Sequence, residues 1–331
     1  MKNHLSRRQF LQYGASGIAA GLLAPYAAAQ SGWPTKAITI VVPAPPGGTS
    51  DTLARILANQ IKGRTGATVL VDNKAGAAGS IGLQAMLAAP SDGYAFAMTN
   101  SFAVNQIRVM IKSLPYDPDA DLTCVAAVGT GGLQLAVKKE CPANSLAELI
   151  ELGKTGQITL GSFASGSYNH MFVHQVNKLY GTRMNVVHYK GEAPMWMDVA
   201  GGHIDGAIGS YGTYKPFLDR GQLRPIGIGG SVRLPNLPDM QTFSEQGFTD
   251  DIFLLEAGWI GLMASSKIPA VARDRMSAEF VKTFSQGEGR EQLLNRGLIG
   301  KVLPVVEFTE WQRVNGPKWI AMASELGLAP Q

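Results

Sequence analysis

One unit recurs along this chain and restricts what it can fold into: a short β-branched run, a loop of glycine, proline and hydroxyl residues, then a stretch with helical period. It first appears as Ala37-Ile38-Thr39-Ile40-Val41-Val42, which reads as a strand and ends in Pro43-Ala44-Pro45-Pro46-Gly47-Gly48. Thr49, Ser50 and Asp51 then cap a helix whose apolar positions include Leu53, Ile56, Leu57 and Ile61. Residues 67–71 form the next strand, and the glycine-rich segment NKAGAAGSIGLQAMLAA leads into a second helix. A strand over Tyr94–Met98 ends at Thr99-Asn100-Ser101. The unit returns after Ser145, which caps a helix containing Leu146, Leu149, Ile150 and Leu152. Strand candidates at 158–161, 184–188 and 204–208 exit through SFASGSYNH, YKGEAP and GSYG, and 223–228 is a further internal strand. The first two exits lead into helices, one through Met171, Phe172, Val176 and Leu179 and one over 194–200. Strands alternating with helices imply an α/β fold with a mainly parallel sheet.

A chain of 331 residues is long for one continuously growing core, and the units fall into two groups. We read 1–29 as a leader, 30–135 as the first part of one α/β domain and 136–253 as a second α/β domain. Residues 254–331 then return to the first domain and end in helices. Crossings between the domains are expected near 130–140 and 250–262, with a hairpin near 123–137. In the tail, Met276, Phe280, Val281 and Phe284 are spaced as the core stripe of a helix. The 39 glycines and 18 prolines fall between apolar segments and do not form tracts, as expected of a folded globular chain.

The leader is read from MKNHLSRRQFLQYGASGIAAGLLAPYAAAQ. A basic start with Arg7 and Arg8, a modest apolar stretch and Ala27-Ala28-Ala29 make an export signal, with cleavage after Ala29. Ser-Arg-Arg-x-Phe-Leu resembles the twin-arginine address of bacteria, which places the mature protein in the periplasm. Cleavage would remove Lys2, Arg7 and Arg8 and no acid, lowering the formal net charge of +4 by three. Without a charge excess or a Lys/Arg tract, the mature chain has no nucleic-acid footprint.

Cys124 and Cys141 are the two cysteines; they either form a disulfide in an oxidising compartment or remain separate buried thiols. His170, His174, His188 and His203 show no metal-ligand spacing, and neither a metal nor a cofactor is expected. PPGGTSD lacks the Lys-Ser/Thr ending of a phosphate loop, and KAGAAGSIG lacks the spacing of a dinucleotide loop. GSFASG is not a nucleophile elbow, so Ser165, His170 and Asp205 make a poor triad and no enzymatic activity is expected. Loops at the carboxyl ends of strands in open α/β sheets are ligand positions. PPGGTSD, Asn100-Ser101, SFASGSYNH and GSYG therefore gather small residues with hydroxyl or amide donors where a ligand would sit. Gly47 and Gly48 would let backbone amides approach an anion, aided by the positive end of the following helix. Asp51 is a helix cap or an organiser of the site. Phe102, Phe163, Tyr168, Tyr211, Tyr214 and Trp259 lie in or beside these loops.

VVPAPPGGTSDTLARILA at 41–58 resembles the opening signature of the tripartite tricarboxylate transporter substrate-binding family, also called the Bordetella uptake gene family. DNKAGAAGSIG, PSDGYAF, LPYDPDADL, VHYKGEAP, GGHIDGAIGS and LPNLPDMQTFSEQG follow in the same order as its markers. The resemblance implies a periplasmic-binding-protein-like fold, with two α/β domains around a deep cleft. It implies a monomeric receptor that presents a small organic carboxylate to a membrane permease. The family's carboxylate contacts map to Gly47, Gly48, Thr49 and Ser50 on one side, and to Ala164, Ser165, Ser167 and His170 on the other. Asn100 and Ser101 are further candidates, and the later strand exit adds Gly209, Ser210 and Tyr211. Two positions depart from common family wording: Tyr168-Asn169 before the histidine, and GAIGSYGTY at that exit. The alternatives are a solute sensor for a signalling partner and an exported hydrolase. Binding followed by domain closure is the expected mechanism.

Overall fold

The computed structural model describes residues 32–254 and 258–328, so the expected leader lies outside the described residues. Its eleven described strands are β1 (Ile38–Val42), β2 (Val69–Asn73), β3 (Ala95–Asn100), β4 (Leu122–Gly129), β5 (Gln134–Lys138), β6 (Thr159–Ser162), β7 (Asn185–His188), β8 (Gly206–Gly209), β9 (Leu223–Ile228), β10 (Trp259–Ser265) and β11 (Val302–Leu303). They form a six-stranded sheet in the order β11-β4-β10-β3-β1-β2 and a five-stranded sheet in the order β7-β6-β8-β5-β9.

Helices cover both faces of each sheet, and the strands' two-residue period divides their side chains between two cores. In β1, Ile38, Ile40 and Val42 pack with Leu53, Leu57 and Ile61 of the helix Thr49–Thr65 and with Met276, Phe280 and Phe284 of the helix Ala270–Phe284. Val41 points the other way, toward Leu83, Met86 and Phe308. In the second sheet, Leu135, Val137 and Leu160 join Leu146, Phe172, Phe243 and Phe253. Ala136 and Ala207 face Met195, Trp196 and Tyr214 instead. Each fully buried large side chain contributes roughly 1.5–3 kcal/mol. Helix ends follow local chemistry. Ser145 Oγ accepts the Glu148 amide at 3.2 Å, and Gly66 closes the helix Thr49–Thr65 in the left-handed region at φ 72°.

The sheets are mixed, not mainly parallel. β1, β2 and β3 run parallel, as do β6, β7 and β8, but β10 is antiparallel to β3 and β4, and β5 is antiparallel to β8 and β9. The reason is where the chain changes sheet. A strand that feeds a following helix ends at the edge where the sheets meet; a strand that begins just after a crossing must run away from that edge. β5 and β10 are those strands. The hairpin expected near 123–137 is therefore a crossing: β4 and β5 belong to different sheets.

Outgoing and returning crossings lie side by side. Gly229 donates its amide to Leu133 O at 3.0 Å, and Thr130 donates both its amide and its hydroxyl to Gly258 O at 3.0 and 3.1 Å. A Cβ on Gly132 would lie 1.6 Å from Gly229 O. The final helix, Val305–Ser324, ties the lobes a third time: Phe308 packs on Trp259 in the first lobe, and Trp319 and Ala323 enter the core of the second. Among the described residues no helix is long and apolar enough to cross a membrane.

Both cysteines are free and buried in separate cores, which decides between the two readings left open above. Burial pushes the Cys124 thiol up to about 12, against a weaker opposing contact from Thr309. We expect neither thiol to react with a water-soluble disulfide reagent until the protein unfolds, and reductant to leave the melting temperature unchanged. Replacing Gly132 by alanine should force the crossings apart and cost about 1–3 kcal/mol in a urea titration.

Candidate ligand-binding site

Strand register brings the candidate loops to two facing edges. In the first sheet, Val42 lies opposite Asn73, Ile260 opposite Asn100, and Trp259 opposite Gly129. In the second, Ser162 lies opposite His188 and Gln134 opposite Gly209. Because only the residues between Gly129 and Gln134 separate the sheets there, these two edges bound one cleft. Across it, the rings of Phe102 and Phe163 meet edge to face at 6.3 Å. A Cβ on Gly166 would lie 2.5 Å from Met110 Sδ, so the loops of the two lobes are in contact at this lip.

The first-lobe loop leads into the helix Thr49–Thr65. Asp51 is buried and accepts the Gly47 amide at 2.9 Å and Arg55 Nε at 3.1 Å through Oδ2. Its Oδ1 lies 2.9 Å from the guanidinium but out of line for a hydrogen bond. Arg55 also donates to Asn73 Oδ1 at 3.1 Å, and Asn73 Nδ2 donates to Ala44 O at 3.2 Å. Burial raises the Asp51 carboxyl, but its bonds with Arg55, Gly47 and Asn73 outweigh burial and hold it below its usual range. Asp51 thus organises the loop and takes the Gly47 amide expected to meet the ligand. The amides of Gly48, Thr49 and Ser50 have no partner among the described residues. The N-cap residue, Gly48, supplies no side-chain bond to the first turn, in which Asp51 is the one acid.

The second-lobe loop leads into the helix Tyr168–Tyr180, which also lacks a side-chain cap. Ser162 Oγ donates to Ala164 O at 2.6 Å and bonds the Ser167 hydroxyl at 2.9 Å, so Ser167 is an internal brace. The Gly166 amide donates to His170 Nδ1 at 3.1 Å. The Ser165 hydroxyl and the amides of Ser165, Tyr168 and Asn169 have no partner among the described residues. Buried Asn169 donates to Gly161 O at 3.0 Å and Ile208 O at 2.5 Å, fixing the β6 exit to the β8 exit. Asn169 departs from the family wording and belongs to the loop's scaffold.

The remaining candidates are more occupied. Asn100 Oδ1 accepts the Ala103 amide at 3.1 Å, capping the π-helical turn Phe102–Gln106. Ser101 is buried, and a Cβ on Gly258 would lie 1.9 Å from its Oγ. Ser210 donates its amide at 3.1 Å and its hydroxyl at 2.7 Å to Glu192, a residue the sequence reading did not select. Its signal was an acid at the start of a helix, Glu192–Ala200, directly after a strand-end loop. Gly209 and Tyr211 are buried, Tyr211 against Gly297. Tyr168 donates to Ile252 O at 2.7 Å, and Tyr214 and Trp259 are core residues; Phe102 and Phe163 are the half-buried members of the aromatic group.

The Ser165–His170–Asp205 combination is not assembled. Asp205 accepts the Thr159 amide and pairs with Lys138 at the start of β6, whereas Ser165 and His170 follow its end. A groove of about 380 Å³ elsewhere is lined by Asn105, Arg108, Asp119, Gln312 and Gly316 and includes none of the loop residues above.

Two α/β lobes joined by adjacent crossings, with unpaired helix-terminal amides at the strand ends of both, define the class of the two-lobed solute-binding protein. The sequence model of the family described as "Tripartite tricarboxylate transporter family receptor" matches residues 53–302. This chain belongs to that family. It is 31% identical over 248 residues to Protein BugT of Bordetella pertussis, covering 74% of each chain. An R. palustris protein solved with adipate aligns with a TM-score of 0.81 and 27% identity, covering 90% of this chain and 100% of that one. The periplasmic binding protein BugD, at 24% identity and a TM-score of 0.77 over 90% of this chain and 100% of its own, shares the fold.

His170 supplies a pH test of the second loop. Burial first, then the positive charges of His188 and His174, push it down to about 4 from 6.5. His188 lies with its ring centroid 4.5 Å away and is lowered by burial as well. The unfolded chain takes up this proton near pH 6.5 and the folded chain near 4, so stability should fall as pH drops through that window. In urea titrations across pH, His170→Asn, which keeps an acceptor for the Gly166 amide without titrating, should flatten that fall.

Proposed function

We propose that this protein is exported to the periplasm, captures a small organic carboxylate in the cleft and delivers it to a membrane permease of the tripartite tricarboxylate type. The observation carrying this reading is the pair of helix N-termini without an N-cap side-chain bond, one on each of the two facing edges. In this reading the amides of Gly48, Thr49 and Ser50, which have no partner among the described residues, serve the ligand from one lobe, and those of Ser165, Tyr168 and Asn169 from the other. Such termini bind anions with backbone donors and partial charge, and they do not require a lysine or arginine. The R. palustris neighbour's adipate supports a carboxylate as the anion.

Binding is coupled to shape. A carboxylate shared between the lobes interacts more strongly with a closed cleft than with an open one, and that difference shifts the equilibrium toward closure. The permease then distinguishes loaded from empty receptor by the surface that closure creates.

Refolded, ligand-free mature protein should gain stability with mono-, di-, tri- or aromatic carboxylates in a thermal-shift panel. A ligand at 100 times its dissociation constant adds about 2.7 kcal/mol; no shift from any acid would reject the carboxylate reading. Gly48→Val tests the backbone cradle. A Cβ there meets only Pro45 O, at 3.7 Å, so the fold should be retained. The branched side chain should screen the neighbouring amides and weaken carboxylate binding roughly tenfold or more by calorimetry.

A further inference from the structure

We propose that Glu192 is a resident carboxylate occupying a third anion position in the cleft, restricting this protein to ligands with one carboxylate end and an uncharged remainder. The inference rests on the carboxylate reading and deepens it.

Two helices of the second lobe begin at the cleft edge, Tyr168–Tyr180 after β6 and Tyr211–Asp219 after β8. Both lack a capping bond from their own N-cap side chain, and both would present an anion with first-turn donors. At the first, the Tyr168 and Asn169 amides have no partner among the described residues, whereas at the second only the Tyr211 amide of the first three is without one. At the second, the Ser210 amide and hydroxyl and the Thr213 hydroxyl all donate to Glu192 Oε2. The Gly212 amide donates to Arg296 O at 3.3 Å. Apart from the Tyr211 amide, the donors that a ligand's second carboxylate would use here are already engaged by the protein.

The carboxylate is built into its place. The Gly191 amide donates to Phe163 O at 3.0 Å, which fixes residue 192 beside the second-lobe anion loop. Glycine at 209 makes the room: a Cβ there would lie 3.0 Å from Glu192 Oε2 and 2.9 Å from the Trp196 ring. Trp196 Nε1 donates to Thr213 Oγ1 at 3.1 Å, so the hydroxyl that holds the carboxylate is itself held.

Glu192 has no salt-bridge partner among the described residues, and Arg296, whose backbone meets Gly212, donates its guanidinium to Gln292. Arg55 at the first-lobe loop is paired with Asp51, Lys74 after β2 is paired with Asp72, and Lys190 is exposed. A second ligand carboxylate would therefore meet engaged donors and a like charge, which is selection by exclusion. The half-buried rings of Phe102 and Phe163 offer apolar surface to the rest of the ligand.

Hexanoate and adipate test this because they share a six-carbon chain and differ only in a terminal methyl or carboxylate. Calorimetric titration of the mature wild type should show hexanoate bound roughly tenfold or more tighter than adipate. Glu192→Gln, which keeps an acceptor for Ser210 and Thr213 without the charge, should narrow that ratio severalfold by improving adipate. Preference of the wild type for adipate overturns the inference whether or not the variant folds. A ratio unchanged in a folded Glu192→Gln also overturns it, and both results leave the carboxylate reading standing. Failure of the wild type to bind either acid, or any other carboxylate of the panel, overturns that reading and this inference with it.

Discussion

The contact between the two crossings governs the rest of this structure. Gly132 approaches Gly229 so closely that a Cβ on it would collide with the Gly229 carbonyl, and Thr130 joins the same strap to Gly258. This contact sets the edges of both sheets face to face. It also dictates that β5 and β10, which start at that edge, run against the strands that end there. Every candidate loop inherits its position from this arrangement.

Under the proposed function the cleft would recognise charge without a free positive side chain at its two main loops. Arg55 is near enough to serve, but Asp51 and Asn73 engage it, and Asp51 also takes the Gly47 amide. What remains is a set of amides fixed by the first turns of two helices. Such donors carry partial rather than full charge and lose little freedom when an anion arrives. On the proposed function, a receptor that must release its ligand would benefit from that economy, because several modest hydrogen bonds divided between two lobes would be broken together if the lobes parted.

Internal carboxylates play opposite parts on the two sides. Asp51 is ion-paired and held below its usual range, so it fixes a loop while leaving the neighbouring amides free. Burial pushes Glu192 up, against the opposing bonds from Thr213, Ser210 and Trp196. Its position engages the Ser210 amide and hydroxyl and the Thr213 hydroxyl at the β8 exit. One acid shapes the proposed anion site, and the other engages donors at the neighbouring strand exit.

Local chemistry in the sequence determined a great deal. The β-branched runs became strands, the Ser145 cap formed, and the loops PPGGTS and SFASGS lie at helix N-termini, because dihedral preference, side-chain period and capping act over a few residues. Which donors would be free was decided elsewhere. Gly47 lost its amide to Asp51 within one turn, a contact that composition does not reveal, and Ser210 lost its donors to a residue 18 positions away. The apparent hairpin at 123–137 became a crossing because an apolar run records its burial but not the sheet it joins. Cys124 and Cys141 were kept apart by the same partition into two cores. The sequence by itself determined the elements and the donors they carry. Only the tertiary structure decided which donors face the cleft unpaired, because hydrogen bonds between distant segments depend on register and packing that no local pattern encodes.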